Sequence, residues 1–400
     1  MMPKRIAPAL TLLCALGCEK PAPPPADSAS SVASTPPPAS ASTEVVRAPP
    51  EAAAAAPAVE TSPYALNAAA FVTLGQRLSE PAGEFFSDNF ISNETSFLQV
   101  AEKLDAEVPA GGVYVGVGPE QNFTYIATTE PELAFIVDIR RDNATLHHLY
   151  HALFIQSDHR RDFLARLLGR AVPETTPPAD LDEMLSEVEN LEKRSKDFER
   201  IHREAVAEVE RLGLSLSRVD RQAMRTAHRA FYDGGLGIRF KLKQNTFRRY
   251  PSLRELITQT SPAGARRHFL ADANSYRTLR IMQRENRIVP LTGDFGGKKA
   301  FAALGAYMTE KQLTLRSFYV SNVEQYLMVD GKWDQYRANV AGLPHDDKSV
   351  FIRAYLDQGR PHPQQMRGHR TASVLQRVQP FLASDKRPGS LLTLSSEGVL

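Results

Sequence analysis

The residues of this 400-residue chain that could do chemistry fall at the ends of short apolar runs. Gly116 and Gly118 close Val113 to Val117, and Asp138 closes Leu133 to Val137. Asp294 follows Arg287 to Leu291 among Gly293, Gly296 and Gly297, while Asn322 and Glu324 follow Leu315 to Ser321. Glycine lets a backbone turn sharply and approach a ligand closely. A carboxylate just beyond the next run accepts hydrogen bonds from ribose hydroxyls, and Asp138 lies 20 residues after Gly118, the spacing that this requires. The chemistry predicted is nucleoside binding by Gly116, Gly118, Asp138 and Asp294, with Asn322 and Glu324 facing a substrate; no residue is identified as catalytic. The alternative is a buried unit without ligand, in which Asp138 only caps the following helix.

These positions require a particular set of elements. Val113, Tyr114, Val115 and Val117 are β-formers, and Pro119 suits a first helical position because its missing N–H needs no partner there. LAFIV at 133–137 is continuously apolar, as in a parallel strand covered on both faces. Strand, glycine turn, helix, strand and acid make one half of a Rossmann-like sheet. Residues 287–291 and 315–320 are predicted to be further parallel strands of that sheet, followed by a helix from Trp333 and a strand over 350–356. Between the second and third strands, residues 157–284 form a large helical insertion, with one long amphipathic helix expected over 179–211. Residues 359–386 are expected to be mobile, and Ser390 to Ser396 a last edge strand.

Other candidates carry less. Phe85, Phe86 and Phe90 are expected in the core, and Ser92 to Thr95 as a helix cap. His147 and His151 stand one turn apart, but no third ligand is evident, so they are expected to be surface histidines and no metal is predicted. Gly234 to Gly237 lacks a following Lys-Ser/Thr and is a turn, not a phosphate loop, and no GxSxG nucleophile turn occurs. With a net charge of +2, nothing points to nucleic acid.

The first 18 residues carry Lys4 and Arg5, an apolar run from Ile6 to Leu16, then Gly17 and Cys18, the layout of a secretory signal. The run is too short for a membrane span. Cys14 and Cys18 are the only cysteines, so the body has no disulfide framework. Residues 19–62, rich in Pro, Ala and Ser, read as an extended tether. The expected organisation is signal 1–18, tether 19–62, α/β domain 63–358 and C-terminal extension 359–400.

Three resemblances follow from these residues. Ala15-Leu16-Gly17-Cys18 resembles a bacterial lipobox, which implies acylation of Cys18 and, with Glu19 next, an outer-membrane or periplasmic location in the cell envelope. The strand-end residues resemble class I S-adenosylmethionine-dependent methyltransferases. That resemblance assigns the glycine turn to Gly116 and Gly118, the ribose acid to Asp138, the adenine-side acid to Asp294 and the fourth-strand motif to Ser321-Asn322-Val323-Glu324. Tyr114 stands where the family has an acid and Glu120 where it has a third glycine. The stretches DNFISNE, GVGPEQNFTYIA, FIVDIRRDN, GDFGG and FYVSNVEQY also look like a family of uncharacterised bacterial lipoproteins with a methyltransferase-like fold. Two functions are therefore expected as alternatives: an exported methyltransferase-like enzyme using S-adenosylmethionine or a related nucleoside, or a non-catalytic envelope lipoprotein that uses the scaffold for ligand or partner binding. S-adenosylmethionine is cytosolic, which sets compartment against cofactor.

Overall fold

The computed structural model describes residues 61–242, 249–385 and 387–400. The expected signal, the lipobox-like stretch with Cys18 and nearly all of the expected tether lie outside the described residues. Six strands form one sheet: β1 (Val113–Gly116), β2 (Leu133–Asp138), β3 (Ile288–Thr292), β4 (Leu315–Ser321), β5 (His345–Leu356) and β6 (Thr371–Arg377). Their order is β3-β2-β1-β4-β5-β6, parallel throughout except for β6, which runs antiparallel to β5. The chain moves outward from β1 to β3, then returns to β1's other side for β4, so the order reverses at β1 and β4. Pro290 lies inside β3, where its missing N–H costs no ladder bond because β3 is an edge.

Alternation along the strands sends side chains to two apolar layers. Val113, Val115, Leu133, Phe135 and Val137 pack with helices α1 (Ala68–Leu78), α11 (Ala300–Glu310) and α13 (Trp333–Ala341). Tyr114, Ala134 and Ile136 face the opposite layer. There lie α2 (Ala101–Glu107), α3 (Gln121–Thr129), α4 (Arg141–Ile155) and α10 (Ala273–Arg284). Onto α4 stacks the insertion: α5 (Arg160–Leu167), α6 (Leu181–Asn190), α7 (Ser195–Arg211), α8 (Arg218–Gly234) and α9 (Leu253–Thr258). The remaining helices are α12 (Val323–Val329), α14 (Val378–Ala383) and α15 (Leu391–Ser396).

The α/β class, the parallel strands and the inserted helices agree with the sequence. Five details differ. The helix expected over 179–211 is two, α6 and α7, separated where Leu191 is extended at φ −62° and ψ 137°. Thr371–Arg377 is not mobile but the sixth strand, and Ser390 to Ser396 is not a strand: Ser390 caps α15 by accepting from the Thr393 N–H at 3.1 Å. Ser92 to Thr95 caps no helix. His147 and His151 are buried, because α4 is enclosed by the sheet on one side and the insertion on the other.

Candidate functional site

The carboxyl ends of β1 to β5 open into a cleft of about 830 Å³. One wall is the segment 79–96, which crosses the strand ends in their spatial order. The Glu80 N–H donates to the Thr292 carbonyl at 2.9 Å beside β3, and that of Gly83 to the Ile139 carbonyl at 2.9 Å beside β2. The Ser92 N–H reaches the Glu120 carboxylate at 3.1 Å after β1, and Glu94 ends against β4. Glu80 also accepts from the backbone of Asp294, Lys299 and Ala300, so it caps α11.

The glycine turn is tied inward. Gly118, at φ +80°, lines the cleft. Asn122 on α3 donates to the carbonyls of Val117 at 2.9 Å and Pro119 at 2.7 Å, and accepts from the Tyr114 hydroxyl at 2.9 Å. His147 holds the Gly118 carbonyl at 2.9 Å. A Cβ at Gly116 would stand 1.9 Å from the Asn122 carbonyl oxygen, so Gly116 is required by this packing and lies behind the cleft rather than on it. Tyr114, in the acid's place, serves Asn122.

Asp138 lines the cleft, but its carboxylate is engaged by its own neighbour: Arg140 donates from its backbone N–H at 2.9 Å, Nε at 3.0 Å and Nη2 at 2.8 Å. Arg140 then reaches the Asp88 carbonyl at 2.8 Å and fastens the crossing segment. Asp138 does not cap α4. Asp294 also lines the cleft, ion-paired with Lys332 at 2.6 Å, and Asn322 lies on the wall. Glu324 does not face the cleft. It is fully buried against Arg353, with bonds of 2.6 and 2.8 Å and a third from the Tyr336 hydroxyl at 2.8 Å, and locks α12 and α13 to β5. Burial pushes the imidazoles of His147 and His151 down to about 4, and each holds a separate partner, Gly118 and Gln283. Among the described residues no group of three or more His, Cys, Asp or Glu could hold a metal, and no helix is long and apolar enough to cross a membrane.

The sequence missed the most distinctive group. Glu94 is 1% exposed and lines the cleft, accepting from Gln121 Nε2 and the Tyr319 hydroxyl, both at 2.8 Å, and from Ser321. No ion pair forms on it among the described residues, and burial raises its pKa above the usual carboxylate range. Ser321 adopts φ +50°, a left-handed conformation uncommon for non-glycine residues. Nearby Glu120 is pushed up to about 7 by burial, and its Oε2 has no partner. Phe85 and Phe86 also line the cleft instead of the core, against Tyr326, with Phe85 edge-on to Tyr326 at 5.3 Å. The partners of Glu94 on β4 lie more than two hundred residues away, so no local spacing signals it.

A family model described as a domain of unknown function (DUF7790) matches residues 89–396, which include the glycine turn, every strand and most of the cleft. No curated protein matches the chain.

Proposed function

We propose that the chain, which belongs to the DUF7790 family, is an exported, lipid-anchored protein that binds a nucleoside cofactor of the S-adenosylmethionine type, with a Rossmann-like, methyltransferase-like fold. The observation that carries this reading is the cleft of about 830 Å³ at the carboxyl ends of the parallel strands, where the order reverses between β1 and β4. Open α/β sheets bind their ligands at such a point. In this reading the Asp138–Arg140 pair meets the ribose, the Asp294–Lys332 pair lies on the base side, Gly118 lets the ligand approach the turn, and Asn322 faces a methyl acceptor. Anchoring occurs through Cys18, and the cofactor reaches the envelope by transport or is replaced by a related nucleoside.

Calorimetry of the full chain with S-adenosylmethionine, S-adenosylhomocysteine and ATP tests the binding. Heat from at least one supports it, and heat from none rejects it. Fatty-acid labelling that disappears in Cys18→Ser tests the anchor.

The non-catalytic reading has one observation of its own. Both strand-end acids are already neutralised by cations of this chain, which leaves neither free to grip hydroxyls as strongly as an unpaired carboxylate. Turnover of bound S-adenosylmethionine separates the two.

A further inference from the structure

We propose that the cleft selects a cationic ligand, with Glu94 meeting the positive centre and Phe85, Phe86 and Tyr326 forming an aromatic wall beside it. This deepens the proposed function and rests on it only in taking the strand-end cleft as the ligand site.

Charge comes first. Among the described residues, the cleft is lined by five carboxylates, Glu84, Glu94, Asp138, Asp294 and Asp330, and by two cations, Arg140 and Lys332. Both cations are spent on Asp138 and Asp294. The cleft is therefore acidic, and its most buried unpaired carboxylate is Glu94. An acid held in low dielectric without a counter-ion is costly, and an incoming cation removes that cost.

Surroundings come second. Among the described residues, the titratable groups that interact with Glu94 include Tyr114 on β1, Glu120 and Tyr125 at α3, and Tyr319 on β4, and none of these is cationic. Glu120 instead adds repulsion. Three hydrogen bonds hold the Glu94 carboxylate in place, so it is already oriented before a ligand arrives. The aromatic rings supply π faces, which attract protonated amines, quaternary ammonium groups and sulfonium centres alike.

The test uses the full chain at pH 7.5 and two pairs of probes. Choline and its uncharged carbon isostere 3,3-dimethylbutan-1-ol are compared by saturation-transfer NMR titration. S-adenosylmethionine and uncharged 5′-methylthioadenosine are compared by calorimetry. The cationic member of each pair should bind about tenfold or more tightly, and Glu94→Gln should abolish that preference. Because a variant can fail to fold, wild type is also titrated toward lower pH, where protonation of Glu94 should erode the preference. Equal binding of the nucleosides overturns cation selection while the nucleoside reading stands. Preference for choline with no nucleoside binding does the reverse. Preference that survives both Glu94→Gln and low pH removes Glu94 from the account, and binding of none of the four probes overturns both readings.

Discussion

Two buried glutamates sit within reach of the end of β4 and are treated in opposite ways. Glu324, fully buried, is matched by the Arg353 guanidinium in a two-pronged pair, and Gln376 and the rings of Phe351 and Phe381 complete the arginine's surroundings. Glu94, 1% exposed, receives only neutral donors and opens on a cleft. A neutralised pair with every bond made and no face on the cleft, unlike Asp138–Arg140 and Asp294–Lys332, belongs to the scaffold. An acid left without a counter-ion where space remains is available to something that arrives. The contrast teaches that burial alone does not distinguish the two roles; the missing partner does.

The largest effect is expected at Arg353. Arg353→Met strands the Glu324 charge and should cost roughly 3–5 kcal/mol in denaturant unfolding, with ligand affinity unchanged in the protein that remains folded. An effect confined to affinity would reverse the assignment of the two glutamates.

Next comes Glu120, whose folded pKa of about 7 exceeds the ordinary 4.5. A raised carboxyl contributes its full stability below the unfolded value and loses it as pH rises through the folded one, so the loss spans pH 4.5 to 7. Glu120→Gln should therefore stabilise the protein at pH 8 by at most about 3 kcal/mol and do little at pH 4. Melting curves at the two pH values check the sign.

Glu94→Gln sharpens the contrast from the other side. Stability should change by less than about 1 kcal/mol or rise at high pH, in the direction set by its raised pKa, while affinity for a cationic ligand falls about tenfold, or roughly 1.4 kcal/mol. The smallest effect is expected at Asp138. Asp138→Asn keeps an acceptor for the Arg140 backbone but weakens the clamp on the crossing segment, a loss of about 1 kcal/mol seen in chemical denaturation.

What the sequence could show follows from the range of the interactions. β1, β2, β3 and β4 were legible because a strand buried on both faces must be continuously apolar, and the insertion was legible as a stretch of helical periodicity. β6 was not: Thr371, Ser373 and Gln376 look like loop residues, yet each is satisfied by a distant partner, Ser96, Ser96 and Arg353. His147 looked like a surface residue because its own helix does not reveal what the insertion covers. At the site, Gly118, Asp138, Asp294 and Asn322 were found by their position at strand ends and do line the cleft. Gly116 and Glu324 share that position, but their surroundings turn them into packing and a closed ion pair. Glu94 lies in a polar loop before the first strand, and its importance depends on contacts with β4 and α3 that no local pattern encodes.

Hydrogen exchange on the full chain with and without saturating S-adenosylmethionine tests whether the strand-end cleft is where the ligand binds. A ligand in the cleft should slow exchange in the crossing segment 84–94, the turn 117–119 and residues 321–322, with no change around Arg353. Unchanged exchange in all three stretches despite measured binding, or protection confined to another part of the molecule, would contradict it.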